Sequence, residues 1–396
     1  MNHFLRRCLS GACLLPLLLT GCDAERSIAR SNQGAKSVVN ICAVGDIILS
    51  QTVMDSAQNS AGAYDFSPAF QAVAGHLSTA DLTLGNLEGN FCGAPYSAAT
   101  HNYPEQLAEA LSAAGVDILQ TANTCTVENG TAGLRSTLSY LEAAGIQPVG
   151  SYASAEDRAE NGVIIREING LRIAILAFTK GVGNVRLPDG ADYCTNLLYT
   201  DYDSSYTHID TNTIDACVAE AVLQQPDAII AMVHWGSEYS REISNSQTRI
   251  EQRLFYDGVD VILGTHSHLA GEISTQEITD KTGRTKTVLT AYSLGNFYGD
   301  DTDSRSAPSV MLDFTFTKYS DGITELTDWQ YTPTYFADFG ETAAQRFRVL
   351  DVKNSLALYQ NYYYDAVPEE LYEKLKTIPE SLKSRITPEK ETEETE

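Results

Sequence analysis

The sequence predicts an α/β fold assembled from parallel strand–helix–strand units, and three features carry that expectation. Runs rich in β-branched residues alternate with stretches of helical period from Val38 to Gly150. The same rhythm returns between 213 and 263 after a long polar interruption. Several strand-like runs end on a histidine or carboxylate, at the sheet edge where open α/β folds bind their ligands.

Residues 1–21 read as an export signal. Arg6 and Arg7 precede the leucine-rich run Leu14–Leu19, which is too short to span a bilayer. The run closes on Leu19-Thr20-Gly21-Cys22, which resembles the bacterial lipobox. That resemblance implies cleavage before Cys22, lipidation of its thiol and an extracytoplasmic, lipid-anchored protein at the cell membrane. An ordinary secretory peptide with an incidental cysteine is the alternative. Residues 22–37 lack apolar periodicity and read as a tether.

Val38–Ile48 is then a buried strand ending in Gly45-Asp46. A helix is expected over 66–78, with Pro68 in its first turn, and Asp81–Leu87 is a second strand. Glu105–Ala114 is helical, Val116–Ala122 a strand, Gly133–Ala144 a helix with Leu134, Leu138 and Leu141 apolar, and Ile146–Gly150 a short strand. Gly162–Ile168 and Leu171–Phe178 flank Asn169-Gly170, the signal of a two-residue hairpin turn. Residues 181–212 form a long polar surface loop, of a length that often serves function.

Helices near 213–224 and 246–257 alternate with strands Ala228–Val233 and Val259–Leu263, and more strands follow around 286–292 and 309–316. The main domain is expected over 38–335, followed by a C-terminal helical extension over 336–396. Its EKETEETE end is a charged run of the kind that stays disordered.

The chain carries 52 acidic and 27 basic side chains, a net charge of −25. That field excludes nucleic acid as a partner, argues against a basic membrane-docking face and favours cations. Besides Cys22, the mature chain holds Cys42, Cys92, Cys125, Cys194 and Cys217, an odd number that leaves at least one thiol unpaired or bonded elsewhere. The absence of a Cys-x-x-Cys pair argues against a zinc ribbon.

Three of the seven histidines lie just beyond strands. His234 follows AIIAMV, and His266 and His268 follow VILGT. In extended backbone, a spacing of two would put both rings of the latter pair on one side. Asp46 and Glu88 end two other strands. Each residue has an ordinary reading as a cap, turn or satisfied loop side chain, but five metal-type ligands at the ends of four strands point to one centre. Two ions roughly 3.5–4 Å apart would activate a bridging water and neutralise an oxyanion in hydrolysis. Imidazole with carboxylate suits zinc, iron or manganese.

Trp235 and Tyr239 read equally as core aromatics or a substrate wall. Asn86 offers a neutral oxygen beside Glu88, Glu238 could orient a ligand histidine, and Asn296 could shape a turn or bind substrate.

Gly45-Asp46, Asn86-Leu87-Glu88, Ala122-Asn123, His234-Trp235-Gly236-x-Glu238-Tyr239, Gly264-x-His266-x-His268 and Ser293-Leu294-Gly295-Asn296-Phe297 occur in the order found in the CapA-type bacterial capsule synthesis proteins linked to poly-γ-glutamate. The resemblance covers about 40–298. It implies a calcineurin-like metallophosphatase fold, a two-sheet α/β sandwich with flanking helices and metals at the strand ends. It also implies a divalent metal held by Asp46, Glu88, Asn123, His234, His266 and His268, with His234 and Asn123 the candidates for a catalytic role. Asn86, Trp235, Glu238 and Asn296 are the implied substrate contacts. The implied partners are an anionic polymer such as poly-γ-glutamate and membrane capsule-synthesis subunits.

The chain departs from that pattern in two places. Family members usually read Asn-Asn-His followed closely by Asp, where this chain has Asn123-Thr124-Cys125-Thr126-Val127-Glu128. Cys125 could be a thiolate ligand, a disulfide partner of Cys92 or a small buried residue. Ile48 stands where metallophosphatases commonly place a second ligand, two residues after the first Asp. Turnover therefore stays open. A poly-γ-glutamate role in biosynthesis, export or attachment leads, with a surface phosphoesterase or amide hydrolase and a non-catalytic envelope scaffold as alternatives.

Overall fold

The computed structural model describes residues 34–183, 185–300 and 302–387. The expected signal peptide, Cys22, the tether up to residue 33 and the acidic end lie outside the described residues. Among the described residues, no helix is long and apolar enough to cross a membrane.

The first strand organises everything else. β1, Ala35–Ile48, is buried without a break from Ile41 to Ile47, as a strand covered on both faces must be. It starts inside the segment expected to be tether, because Ala35 and Ser37 pair with the far end of β12, Pro308–Tyr319. On one side of β1 run β2 (Leu82–Leu87), β3 (Ile118–Gln120) and β4 (Gln147–Val149), all parallel. On the other side β12, β13 (Thr324–Asp338) and β14 (Phe347–Asp351) are antiparallel. Beyond Ala43, β12 gives way to β11 (Asn296–Gly299), which pairs in parallel with the end of β1 and sets Asn296 opposite Asp46.

The second sheet has the order β5 (Ile164–Ile168), β6 (Leu171–Thr179), β7 (Ala228–His234), β8 (Val261–Thr265), β10 (Thr285–Ala291) and β9 (Ile273–Thr279). Its central strands are parallel. The expected hairpin joins β5 to β6, with Asn169 at φ 50° and Gly170 at φ 81°, the pair of positive angles that a type I′ turn requires.

The sheets face each other across Val39, Ile41 and Leu84 from the first and Ile173, Ile230 and Leu263 from the second. Helices cover the outer faces. α1 (Gln51–Ser56), α2 (Ala74–Leu77) and α3 (Gln106–Ala114) lie over the first sheet, burying Val53, Leu77, Leu107 and Leu111. α4 (Gly130–Ala143) and α5 (Ala155–Asn161) follow, and Leu134 and Leu138 of α4 pack under the 181–212 loop on Val182 and Leu187. α6 (Thr211–Leu223) and α7 (Asn245–Asp257) cover the second sheet. The chain is thus the two-sheet α/β sandwich that the resemblance implies.

Two local expectations change. The helix over 66–78 is a 3₁₀ turn, Ser67–Phe70, followed by the four-residue α2. Phe66, Phe70, Val73 and Leu77 still bury one face, so the helical period reflects packing even where the hydrogen-bond ladder breaks. The boundary drawn at 335 falls inside β13. Beyond it, α8 (Val352–Gln360), α9 (Glu369–Leu375) and α10 (Ile378–Ile386) send Val352, Leu375, Leu382 and Ile386 into the same core that the sheets share.

Candidate metal centre

Close backbone approach builds the site first. A Cβ on Gly45 would lie 1.8 Å from the carbonyl oxygen of Gly295, and the Asp46 amide donates to that oxygen at 2.8 Å. Gly295 itself has φ 79°. Glycine at 45 and 295 therefore lets the ends of β1 and β11 touch, which brings Asp46 and Asn296 to one rim.

Asp46, Glu88, His234, His266 and His268 then converge, all buried. Their donor atoms form two groups that share Glu88: Glu88 with His234 and His266, and Asp46 with Glu88 and His268. Within each group the atoms lie within 4.8 Å of one another. Glu238, exposed, forms a further group with His266 and His268.

The sequence reading placed His266 and His268 on extended backbone, and that is corrected. β8 ends at Thr265, and the two histidines sit at φ 92° and 59°, in the left-handed region unfavourable to a side chain with a Cβ. The turn sets the rings 6.1 Å apart at their centroids, so that His266 joins Glu88 and His234 while His268 joins Asp46 and Glu88, and the two meet only in the group with the exposed Glu238.

Neighbours hold the ligands in place. Thr265 Oγ1 lies 3.0 Å from His234 Nδ1 and directs Nε2 of that ring toward Glu88, at 3.5 Å. Asn296 Oδ1 and Asp46 Oδ2 stand 3.0 and 3.2 Å from His268 Nδ1. Asn86 Nδ2 donates to Asp46 Oδ1 at 2.8 Å, Asn123 Nδ2 donates to Asn86 Oδ1 at 3.0 Å, and Thr124 Oγ1 donates to Glu88 Oε1 at 2.7 Å. Asn86 and Asn296 are buried behind the ligands, so they brace the centre rather than face a substrate. The Asn123 oxygen accepts from the Cys125 amide at 3.0 Å, within its own loop. Trp235 is a core residue: it stacks on Tyr292, donates Nε1–H to the Tyr292 carbonyl and packs beneath α7, outside the cavity.

A divalent ion fits this donor set. Glu88 Oε2, His234 Nε2 and His266 Nδ1 are buried with no hydrogen-bond partner, a cost that only a bound cation or an ordered solvent would remove. Burial pushes the Glu88 carboxyl up, but the imidazoles of His234, His268 and His266 overcome this and hold it well below its ordinary range. Burial and the neighbouring His234 drive His266 well down, toward the neutral ring that metals bind. Burial opposes charge on His268, yet Glu88 and Asp46 outweigh it and raise that group to about 10. The same two buried carboxylates favour a cation, which on binding would displace the His268 proton and free that ring as a ligand.

The centre opens into a cavity of about 640 Å³, walled by Ile48, His101, Cys125, Glu128, Lys180 and Tyr239 among others. His101 and Glu128 pair at 2.7 Å. Lys180 Nζ donates to the Gly236 carbonyl at 2.7 Å and lies 3.4 Å from His266 Nε2. Thr265, Thr124, Lys180 and His101 were missed by sequence reasoning. Thr265 and Lys180 end strands as the ligands do, whereas nothing in the sequence marks His101. Cys125 is buried with a thiol pushed well above its ordinary value, first by burial and then by Glu88 and Glu128. It is unpaired, as are Cys42, Cys92, Cys194 and Cys217, so the Cys92–Cys125 disulfide is not formed.

Residues 40–301 match the family described as bacterial capsule synthesis protein PGA_cap. Among curated relatives, the capsule biosynthesis protein CapA of Bacillus anthracis is 22% identical over 76% of this chain and 71% of its own. The PGA biosynthesis protein CapA of Bacillus subtilis (strain 168) is 24% identical over 73% of this chain and 71% of its own. Solved structures with a similar course include the NAD nucleotidase of Haemophilus influenzae, with a TM-score of 0.44, 14% identity, and coverage of 88% of this chain and 60% of that one. A 5'-nucleotidase from Candida albicans SC5314 gives 0.39, 13%, 87% and 57%. With two thirds of its length matched in one stretch, from β1 through β11, this chain belongs to the PGA_cap family of bacterial capsule synthesis proteins.

Proposed function

We propose that this chain works at the outer face of the cell membrane in making, exporting or attaching an anionic capsule polymer of the poly-γ-glutamate type, through a divalent metal centre. The reading rests on one observation: Asp46, Glu88, His234, His266 and His268 converge, with Glu88, His266 and His268 lining an open cavity and three buried donor atoms left unsatisfied. Those five residues would hold the metal, zinc, manganese or iron by their chemistry. When bound, such a centre supplies positive charge that binds carboxylate or an amide oxygen and activates water.

The protein's own groups divide the remaining work. Thr265, Asn296 and Asn86 keep the ligands oriented. Lys180 puts a second cation on the cavity wall, where an anionic chain would lie. Those positive groups offset locally a net charge of −25 that would otherwise repel a polyanion. The signal and lipobox reading of residues 1–22 would supply the anchor, with membrane synthesis subunits as partners.

The test compares wild type with His234→Ala and Glu88→Gln in a polymer-making host lacking its own copy, alongside elemental analysis of the purified full chain. Both variants are expected to lose metal and to fail to restore capsule. Unchanged metal stoichiometry would remove the centre from consideration.

A second reading has its own observation. Burial raises the Cys125 thiol well above its ordinary value and makes it a weak proton donor at the position where an acid is expected, which favours a metal-binding scaffold without turnover. Capsule retained by His268→Ala would select it.

A further inference from the structure

We propose a second cation site, suited to zinc, formed by Cys42, His76 and Asp313 on the outer face of the first sheet. The three side chains come from β1, α2 and β12. Cys42 and Asp313 are direct partners across the antiparallel ladder, and His76 reaches them from the helix above. Their Sγ, Nε2 and carboxylate oxygen lie within 4.8 Å of one another.

The contact between His76 and Asp313 is symmetric, with Nε2 at 3.0 Å from both carboxylate oxygens. Without an ion this is a bifurcated, charge-assisted hydrogen bond that raises the His76 imidazole, and the same nitrogen-to-oxygen spacing suits an imidazole and a carboxylate on one tetrahedral cation. Cys42 is wholly buried, and burial together with Asp313 pushes its thiol well up. Thiolate, imidazole and carboxylate from three elements make a zinc donor set, whereas calcium and magnesium take oxygen.

A cavity of about 330 Å³ opens onto His76 and Asp313 and is lined by Asn40, Thr79 and Asp328 as well. It gives an ion an entry path and a solvent molecule for the fourth position. On binding, a Zn–S bond forms, the thiol proton leaves to solvent, and no electron moves.

The site shares no residue with the centre at the strand ends. Cys42 precedes Asp46 by four positions on β1, which at the rise of a strand separates them by roughly 13 Å. Cys42 also belongs to the core under the helices. Bound zinc would clamp α2, a four-residue helix with no side-chain cap, onto the sheet.

Cobalt substitution in the purified full chain tests this, because a thiolate-to-cobalt charge-transfer band reports cysteine ligation directly. Wild type and His234→Gln are expected to show the band. Cys42→Ser and the half-exposed His76→Gln are expected to lose it, together with about one equivalent of zinc. His76→Gln preserves the test if the buried substitution impairs folding. Absence of the band from folded wild type, or its persistence in Cys42→Ser with loss in Cys125→Ser, would overturn the proposal.

Discussion

At the scale of single residues, the cavity wall holds an ion pair whose behaviour with pH follows from its surroundings. Hydrogen bonding to Glu128 raises the His101 imidazole, burial opposes this in part, and the charges of Glu128, Glu88 and Glu238 add to the rise. A base whose folded value is raised stabilises the fold fully below its unfolded value, about 6.5, and that contribution disappears as pH climbs through the folded value. His101→Gln should therefore cost up to about 1 kcal/mol near pH 6 and progressively less as the pH rises. Urea midpoints across that range provide the check, and a pH-independent difference would show that the pair contributes no charge energy.

The same scale explains the limits of reading His266 and His268 from spacing. Two histidines separated by one residue are visible in any sequence, but the left-handed turn that sets His266 beside His234 and His268 beside Asp46 depends on how β8 leaves the sheet. Trp235 next to His234 illustrates the opposite error. Alternation along β7, carried one residue past its end, points neighbours to opposite faces, so His234 faces Glu88 and His266 while the tryptophan faces the core.

At the scale of elements, strand ends deliver the ligands, and close backbone contact sets their position. Gly45→Ala would force apart the ends of β1 and β11, because no side chain can yield to relieve a contact with the Gly295 backbone. The expected cost is about 1–3 kcal/mol, with weakened metal binding because Asp46 moves with its strand. Gly75→Ala is the control: a Cβ at Gly75, on α2, meets nothing within 4 Å, so neither thermal midpoint nor metal content should fall. Equal effects of the two substitutions would remove the backbone contact as the cause.

The strand–helix alternation through β4, the Asn-Gly hairpin and the parallel strands β7 and β8 were all legible from local pattern. β13 and β14 were not. β13 mixes exposed, half-buried and buried positions with no clean alternation, since its two faces meet different neighbours along its length.

For the whole molecule, the drawn boundary at 335 invites a direct experiment. A chain ending there would cut β13, delete β14 and strip Val352, Val367, Leu375, Leu382 and Ile386 from the shared core. Each buried aliphatic side chain of that kind is worth about 1.5–3 kcal/mol, and together they rival the 5–15 kcal/mol that keeps a domain folded. The shortened chain should be insoluble or bind a hydrophobic dye, whereas one ending at 387 should unfold cooperatively. A stable protein ending at 335 would make the last helices an independent appendage.

What the sequence determined by itself was the strand–helix rhythm, the excess of acid and the set of metal-type residues at the strand ends. Those depend on local periodicity and on residue chemistry, which a linear chain displays. Tertiary structure alone decided that Glu88 stands between two ligand groups, that Trp235 turns into the core, and that Cys42, His76 and Asp313 meet. Such contacts join residues tens to hundreds of positions apart. Sheet register and glycine-mediated approach set their distances, and neither can be read along the chain.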